Sequence, residues 1–287
     1  MNVTFIGGDR RMAVVASLLA ERTSVRTYGL PSGSPCPVSS LFSALCGADV
    51  LVFPLPVTRD GIHPLMSAAE PEACPSFAQI FSRAEEEALL LGGAIPAALQ
   101  EQAAREGLVF ADYYTGETLL LRNAHATAEA ALAMAISGLP CTLCDCPVAI
   151  VGYGRIARAL LPLLHACRAD ITVLARSDTA RAEANAAGCK VYPILSDAPL
   201  SFPKGIRAVF YTVPAPLLCR DALRSLAHGT LVLDLAGGAL DNVAAEEYGI
   251  LHPNALSLPG RFSPESAGQY LFDEILTLIA TKRGVHL

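Results

Sequence analysis

Charge is scarce in this 287-residue chain: Asp, Glu, Lys and Arg make up 17% of it, against roughly 25% in ordinary soluble domains. Lysine is rarer still, with only Lys190, Lys204 and Lys282. The formal net charge is −6, and the 21 Lys and Arg are scattered. Without a basic stripe to track a phosphate backbone, nucleic acid is not an expected partner. Long apolar runs are missing too. The best candidates, ADVLVFPLPV and AEAALAMAISGLP, are ended by proline, glycine or charge well short of the roughly 18 residues of a membrane span, so no membrane association is expected. The opening MNVTFIGGDRR enters a strand pattern at once, with no basic start, long apolar core or small-residue cleavage site. This predicts a cytoplasmic protein.

What the chain has in quantity is apolar side chain, 52% of its residues, with a mean hydropathy of +0.42. That excludes disorder. So much apolar surface with so little charge predicts burial beyond one core, in a domain or subunit interface, and hence a homo-oligomer. Nine cysteines, an odd number spread over a large chain, read as reduced thiols rather than a disulfide framework. Cys141, Cys144 and Cys146 have the CxxCxC spacing of a thiolate site. They lack an evident fourth ligand and abut a strand, so ordinary thiols and no metal are expected.

The length predicts two domains at roughly 100 to 200 residues each. Short apolar runs alternate with helical segments throughout, the pattern of α/β parallel sheets covered on both faces. The first half runs through NVTFIGG, a helix over about 10–22, SVRTYGL, DVLVFPL, EALLLGG, a helix from Pro96, and GLVFAD. The second starts afresh at PVAIVGYG and continues through a helix to about Cys167, DITVLARS, a helix to Ala187, CKVYPI, IRAVFYTVP, TLVLDLAGG and GILHP. Both halves read as doubly wound, Rossmann-like domains: residues 1–121 for substrate and 141–263 for a dinucleotide. An alanine-rich helix over 122–140, closed by Gly138 and Pro140, links them. A last helix over 264–283, with Ser263 at its N-cap and Pro264 at its first position, is expected to pack back across the domains.

The sharpest chemical signal is VAIVGYGRIARAL. Gly152 permits a tight turn, Gly154 lets backbone approach a pyrophosphate, and Ala157 allows close helix packing, while the helix N-terminus donates amides to the anion. Gly152, Tyr153, Gly154, Arg155 and Ile156 are therefore the expected cofactor loop. At the end of the next strand, Ala175 is followed by Arg176 and Ser177 where NAD-specific enzymes place an acid. A cation and a hydroxyl suit a 2′-phosphate, so NADP is expected over NAD; the alternative is a solvated surface arginine. Thr212, Val213 and Pro214, with Asp234, Leu235 and Ala236, follow strand ends and should border the nicotinamide. In VTFIGGDRRMAVVASLL, Asp9 suits a cap, whereas Arg10 and Arg11 oppose the helix dipole unless an anion is bound there. With Gly8 and Asp9 they are candidates to hold a substrate carboxylate, the alternatives being exposed arginines or pairing across an interface.

Taken in order, FIGGDRR, FPLPVTRDG, TAEAALAMAI, VAIVGYGRIAR, VLARS, LDLAGG and LPGRFSPESAGQ resemble the family of dipicolinate synthase A subunits over nearly the whole chain. The resemblance implies a cytoplasmic, NADP-dependent enzyme of endospore formation. It implies work alongside a flavoprotein-like dipicolinate synthase B subunit, FMN residing on that partner alone. The reaction implied is oxidation of a small dicarboxylate, a dihydrodipicolinate-type intermediate, to pyridine-2,6-dicarboxylate. It also adds site candidates in a cleft between the domains: Thr58 and the segment Pro259, Gly260 and Arg261 for substrate, and Asn123, Thr127 and Glu129 on the linking helix for catalysis. His125 on the same helix is a candidate base, or a packing or surface residue; Arg261 is a second carboxylate clamp or an exposed loop arginine. A 2-hydroxyacid- or shikimate-type dehydrogenase and a non-catalytic NADP-binding partner of a flavoprotein are the alternatives. The first-domain Lys–Asp pair of shikimate enzymes is absent.

Overall fold

The computed structural model describes residues 1–67, 74–237 and 240–284. Two compact units divide the chain: residues 1–122 with 260–287, and residues 123–259. Unit 1 holds strands β1 (Asn2–Ile6), β2 (Ser24–Tyr28), β3 (Val50–Val52), β4 (Leu89–Gly92) and β5 (Val109–Asp112), with helices α1 (Arg10–Ala20), α2 (Leu41–Leu45), α3 (Phe77–Phe81) and α4 (Ala97–Arg105). Helix α5 (Glu117–Gly138) contains the first division point, between Arg122 and Asn123. Unit 2 holds β6 (Pro147–Val151), β7 (Asp170–Ala175), β8 (Lys190–Pro193), β9 (Ala208–Tyr211) and β10 (Leu231–Asp234), with α6 (Arg155–Ala166), α7 (Asp178–Ala186), α8 (Arg220–Arg224) and α9 (Asn242–Glu247). Helix α10 (Leu258–Phe262) contains the second division point, and α11 (Pro264–Arg283) belongs to unit 1.

Both sheets are wholly parallel, as the apolar runs predict. Unit 1 has the order β2-β1-β3-β4-β5 and unit 2 the order β10-β9-β6-β7-β8. The second is the dinucleotide-binding order and the first the flavodoxin-like one; in each, the ligand crevice of such sheets lies where the strand order reverses. That point falls at the carboxyl ends of β1 and β3 in unit 1, and of β6 and β9 in unit 2.

Strand alternation fills a layer on each face of each sheet. In unit 1, Val50 and Val52 pack with α1 and α11, while Leu51 joins Phe53, Phe77, Ile80 and Phe110 on the other side. In unit 2, Val148 and Ile150 pack with the alanine face of α5 and with Leu160 and Leu164 of α6, while Ala149 and Val151 meet Val209, Leu223 and Val232. Each large side chain so enclosed contributes roughly 1.5–3 kcal/mol. Helix α11 lies on α1 so closely that a methyl at Gly268 would sit 2.6 Å from Val14 Cβ and 3.0 Å from the Arg11 carbonyl.

Three local expectations change. The helix expected over 122–140 begins five residues earlier, at Glu117. GILHP forms no strand: only Leu251 bridges, to Leu231, because Pro253 cannot donate to a ladder. Ser263 occupies the N-cap of α11, yet its hydroxyl makes no capping bond, its backbone being turned to φ −140°, ψ 54°.

Candidate functional site

In unit 2 the turn after β6 is stitched to its neighbours. Gly152 N–H donates to the Leu174 carbonyl at 2.8 Å, and the backbone and hydroxyl of Thr212 both donate to the Val151 carbonyl, at 3.0 and 2.8 Å. Gly152 has φ +94°, and a Cβ there would lie 2.6 Å from Thr212 Oγ1 and 2.7 Å from Val213 Cγ2, so glycine is required on both counts. Gly154 is the N-cap of α6 in an extended conformation, with no side-chain cap, no acid in the first turn and open space beside it. The first N–H groups of α6 thus point outward without an anion of their own. Ala157 is fully enclosed, as close packing of α6 on the sheet demands.

Beside this turn is a cavity of about 620 Å³ lined by Gly152, Tyr153, Ala175, Arg176, Ser177 and Val213, among others. Its apolar wall comes from Ile194, Leu195, Ala215 and Leu217. Tyr153 stacks under Arg158, 5.0 Å from ring centroid to guanidinium, and burial pushes its phenol upward. Arg158 is in turn held by Glu183 at 2.6 Å. At the rim, Arg176 is exposed and its side chain has no hydrogen bond or ion pair among the described residues. The Ser177 hydroxyl accepts from Ala180 N–H at 3.2 Å, capping α7. Arg181, which the spacing does not single out, braces the rim from beneath: it donates to the Ala175 and Arg176 carbonyls at 2.8 and 2.7 Å and pairs with Asp178. Among the described residues, therefore, one rim cation is neutralised and the other is not.

The rest of the expected cofactor set is not part of this cavity's lining. Arg155 and Ile156 form the first turn of α6, Thr212 lies under Gly152, and Pro214 is exposed next to Val213. Asp234 ends β10 and accepts from Ala236 and Gly237 N–H at 3.1 and 2.8 Å; it lines a separate, smaller cavity of about 330 Å³ with His252 and Asn254. Leu235 is buried beneath it. Gly238 of the LDLAGG motif lies outside the described residues.

Unit 1 handles the equivalent turn differently. Asp9 is the N-cap of α1, its carboxylate accepting from Arg11 N–H at 3.0 Å. The same carboxylate takes Arg11 Nε at 3.0 Å and Nη2 at 2.8 Å, while Nη2 also reaches the Leu55 carbonyl at 2.5 Å. Arg11 is 4% exposed. It is neither a solvated arginine nor an outward clamp, for its charge is spent on Asp9 at the carboxyl ends of β1 and β3. Arg10 is exposed. Gly8, at φ +127°, admits no side chain without collision with Met12, and a methyl on Gly260 would collide with Asp9 Oδ2 and lie 3.0 Å from Arg11 Nε. Arg261 is exposed and helical in α10 rather than in a loop, and Pro259 is buried.

Thr58 is nearly buried and serves its own loop: Oγ1 accepts from Gly61 N–H at 3.0 Å and lies 2.7 Å from the His63 carbonyl and 3.0 Å from Asp60 Oδ1. Asp60 and His63 are a pair that sequence patterns do not single out. Asp60 Oδ2 meets His63 Nδ1 at 2.8 Å, and Oδ1 accepts from the Ile62 and His63 N–H groups at 2.8 and 2.9 Å. The imidazole and these two amides hold the Asp60 carboxyl well below the usual carboxylate range. The one local signal is the D-x-x-H spacing in TRDGIH.

Helix α5 splits its four candidates. At 100° per residue, Asn123 and Thr127 share one stripe, and His125 and Glu129 share nearly the opposite one. Thr127 is buried and donates to the Asn123 carbonyl at 2.7 Å, whereas His125 and Glu129 are exposed. The four therefore do not converge on one point. In the CxxCxC segment, Cys141 and Cys146 sulfurs are 3.9 Å apart and Cys144 points to Asp145 at 3.4 Å. All nine cysteines are free thiols, and among the described residues no three or more His, Cys, Asp or Glu side chains are grouped for a metal. Among the described residues no helix is long and apolar enough to cross a membrane.

Comparison with known proteins places this geometry among relatives. Residues 2–114 match the family model for the N-terminal domain of the dipicolinate synthase A subunit. The chain is 24% identical over 292 residues to the dipicolinate synthase A subunit of Bacillus subtilis (strain 168), covering 98% of this chain and 96% of that protein. The crystal structure of that protein superposes with a TM-score of 0.79, covering 99% of this chain and 97% of that one. The structure of the dipicolinate synthase A subunit from Bacillus halodurans gives the same TM-score, 0.79, at 22% identity with 97% of each chain covered. The apo-structure of D-lactate dehydrogenase from Escherichia coli shares the fold at a TM-score of 0.67 and 13% identity, covering 99% and 98% of the two chains. The chain thus resembles dipicolinate synthase A subunits along its whole length and has a dehydrogenase-like α/β fold.

Proposed function

We propose that this chain is the A subunit of a dipicolinate-forming oxidoreductase, using NADP to oxidise a dihydrodipicolinate-type dicarboxylate to pyridine-2,6-dicarboxylate in endospore formation. The observation that carries this reading is the unit 2 turn: an uncapped α6 N-terminus opening beside a cavity whose rim holds Arg176, a cation with no side-chain partner among the described residues. Its donor set fits a dinucleotide. The amides of Arg155 and Ile156 would hold the pyrophosphate, Arg176 the ribose 2′-phosphate, and Thr212, Val213 and Pro214, with Asp234, Leu235 and Ala236, would border the nicotinamide. When bound, NADP supplies a hydride acceptor. NAD, lacking the 2′-phosphate, leaves Arg176 unused.

Unit 1 then supplies the dicarboxylate site. Arg10 and Arg261, both exposed, are the carboxylate-binding cations. Arg11, through Asp9, fixes the turn and the backbone at Gly8 and Gly260, with Thr58 holding the adjacent loop. On α5, Asn123 and Thr127 position the reacting groups from one stripe, and Glu129 and His125 belong to the other. In this reading a flavoprotein-like B subunit carrying FMN is the partner, the chain self-associates, and both work in the cytoplasm. Whole-length likeness to the two Bacillus proteins supports the assignment as the A subunit.

The test follows the absorbance of pyridine-2,6-dicarboxylate when purified protein, with and without the B subunit, meets NADP and freshly generated dihydrodipicolinate. Product and NADPH should appear together. Tight NADP binding with no product in either mixture would overturn the reading.

A further inference from the structure

We infer that His63, oriented by Asp60, accepts the proton that this oxidation releases; the inference rests on the function proposed above and names a catalytic residue for it. Forming an aromatic pyridine from a dihydropyridine breaks one ring C–H bond, whose electron pair leaves with the hydrogen as hydride to NADP. A proton leaves the neighbouring ring atom, and the electrons of that bond close the aromatic π system. Hydride and proton together balance the two hydrogens lost, and the proton needs a base within hydrogen-bond reach.

The loop carrying His63 is fixed on the carboxyl edge of the unit 1 sheet at its switch point. Leu65 ties it to two places, its carbonyl accepting from Gly8 N–H at 2.8 Å and its N–H donating to the Val57 carbonyl at 3.1 Å. Ser67 N–H reaches the Gly29 carbonyl after β2 at 3.1 Å, and Phe77 N–H at the start of α3 donates to the Ile62 carbonyl at 2.9 Å. The loop is therefore anchored just past the carboxyl ends of β1 and β2, to the segment that follows β3 and to the start of α3, on the edge where open α/β sheets bind ligands.

Within the loop the chemistry is directional. Asp60 Oδ1 is occupied by two backbone amides, which leaves Oδ2 aimed at His63 Nδ1. A proton shared on that side makes Nε2 the basic nitrogen, as in carboxylate–histidine pairs generally. The imidazole is 39% exposed, accessible to a ligand. Cys74 lies behind the pair, its thiol donating to the Pro64 carbonyl at 3.7 Å, and Arg59 is exposed beside Asp60. Among the described residues, His63 is the one histidine with a carboxylate on its ring; His125 on α5 has none.

The experiment compares wild type with His63→Gln, His63→Ala and Asp60→Asn in the complete assay, B subunit included. For His63→Gln, kcat should fall by roughly 10²–10⁴-fold, with KM moving only a few-fold and NADP affinity unchanged. Added imidazole should restore part of the rate to His63→Ala and none to wild type, an effect that a purely structural role would not show. Asp60→Asn should lower kcat in the same direction. Wild-type turnover with full activity in His63→Gln, or a slow His63→Ala that folds, binds NADP and ignores imidazole, overturns the inference and leaves the proposed function standing. An inactive wild type would overturn both.

Discussion

After β1 the chain turns through Gly7, Gly8 and Asp9 into α1; after β6 it turns through Gly152, Tyr153 and Gly154 into α6. Both turns use a positive-φ glycine to leave a parallel strand. They differ in what sits at the helix N-terminus. In unit 1 it is Asp9, a cap whose charge is then matched by the buried Arg11. In unit 2 there is no side-chain cap and no acid in the first turn, and the neighbouring cation Arg176 makes no side-chain hydrogen bond or ion pair among the described residues. The helix dipole favours an anion in either place. One unit carries that anion in its own sequence, and the other has no acid in its first turn. The same local topology thus yields a closed structural joint in one half and, in the function proposed above, a cofactor site in the other.

The strongest way to break this contrast is to copy the closed turn into the open one. Gly154→Asp has room and an extended backbone that any residue adopts. It should add a few tenths of a kcal/mol to stability as a better cap while weakening NADPH binding about a hundredfold or more, about 2.8 kcal/mol. Thermal unfolding and calorimetric titration read the two effects separately. Unchanged affinity would mean that the phosphates do not sit on α6.

The reverse change opens unit 1. Asp9→Ala removes the cap and strands a buried guanidinium, at a cost of about 2–3 kcal/mol, below the full penalty of a wholly buried pair because Asp9 retains some exposure. A lowered Tm with no gain in dinucleotide binding is the expected result. If Asp9→Ala leaves Tm unchanged, the pair is not the joint described here.

Much of this contrast is legible in the residues. The glycine spacing, the capping Asp9 and the apolar strands other than GILHP are local features, and each is found where its pattern puts it. What the pattern does not convey depends on distant neighbours. Arg11 reads as an exposed clamp because nothing in GGDRR tells of the Leu55 carbonyl it meets across the sheet edge or of the Gly260 backbone laid against it. The four candidates on α5 read as one site because adjacency in sequence hides the 200° between alternate helical residues. His63 does not stand out because the loop that pairs it with Asp60 is held by distant segments, a long-range feature with only a D-x-x-H trace.

Smaller effects sharpen the account of the open turn. Arg176→Ala should weaken NADPH by about tenfold, about 1.4 kcal/mol, and leave NADH unchanged, so the two affinities draw together; paired titrations show it. Ser177→Ala should remove the α7 cap at about 0.5–1 kcal/mol of stability, visible as a small fall in Tm. Its effect on NADPH affinity should be less than that of Arg176→Ala.

The most direct test is a calorimetric titration of the purified chain with NADPH and with NADH at low ionic strength. One NADPH should bind per chain, at least tenfold more tightly than NADH. Two equivalents per chain, equal affinity for the two cofactors, or no binding would contradict the division between a filled turn in unit 1 and an open one in unit 2.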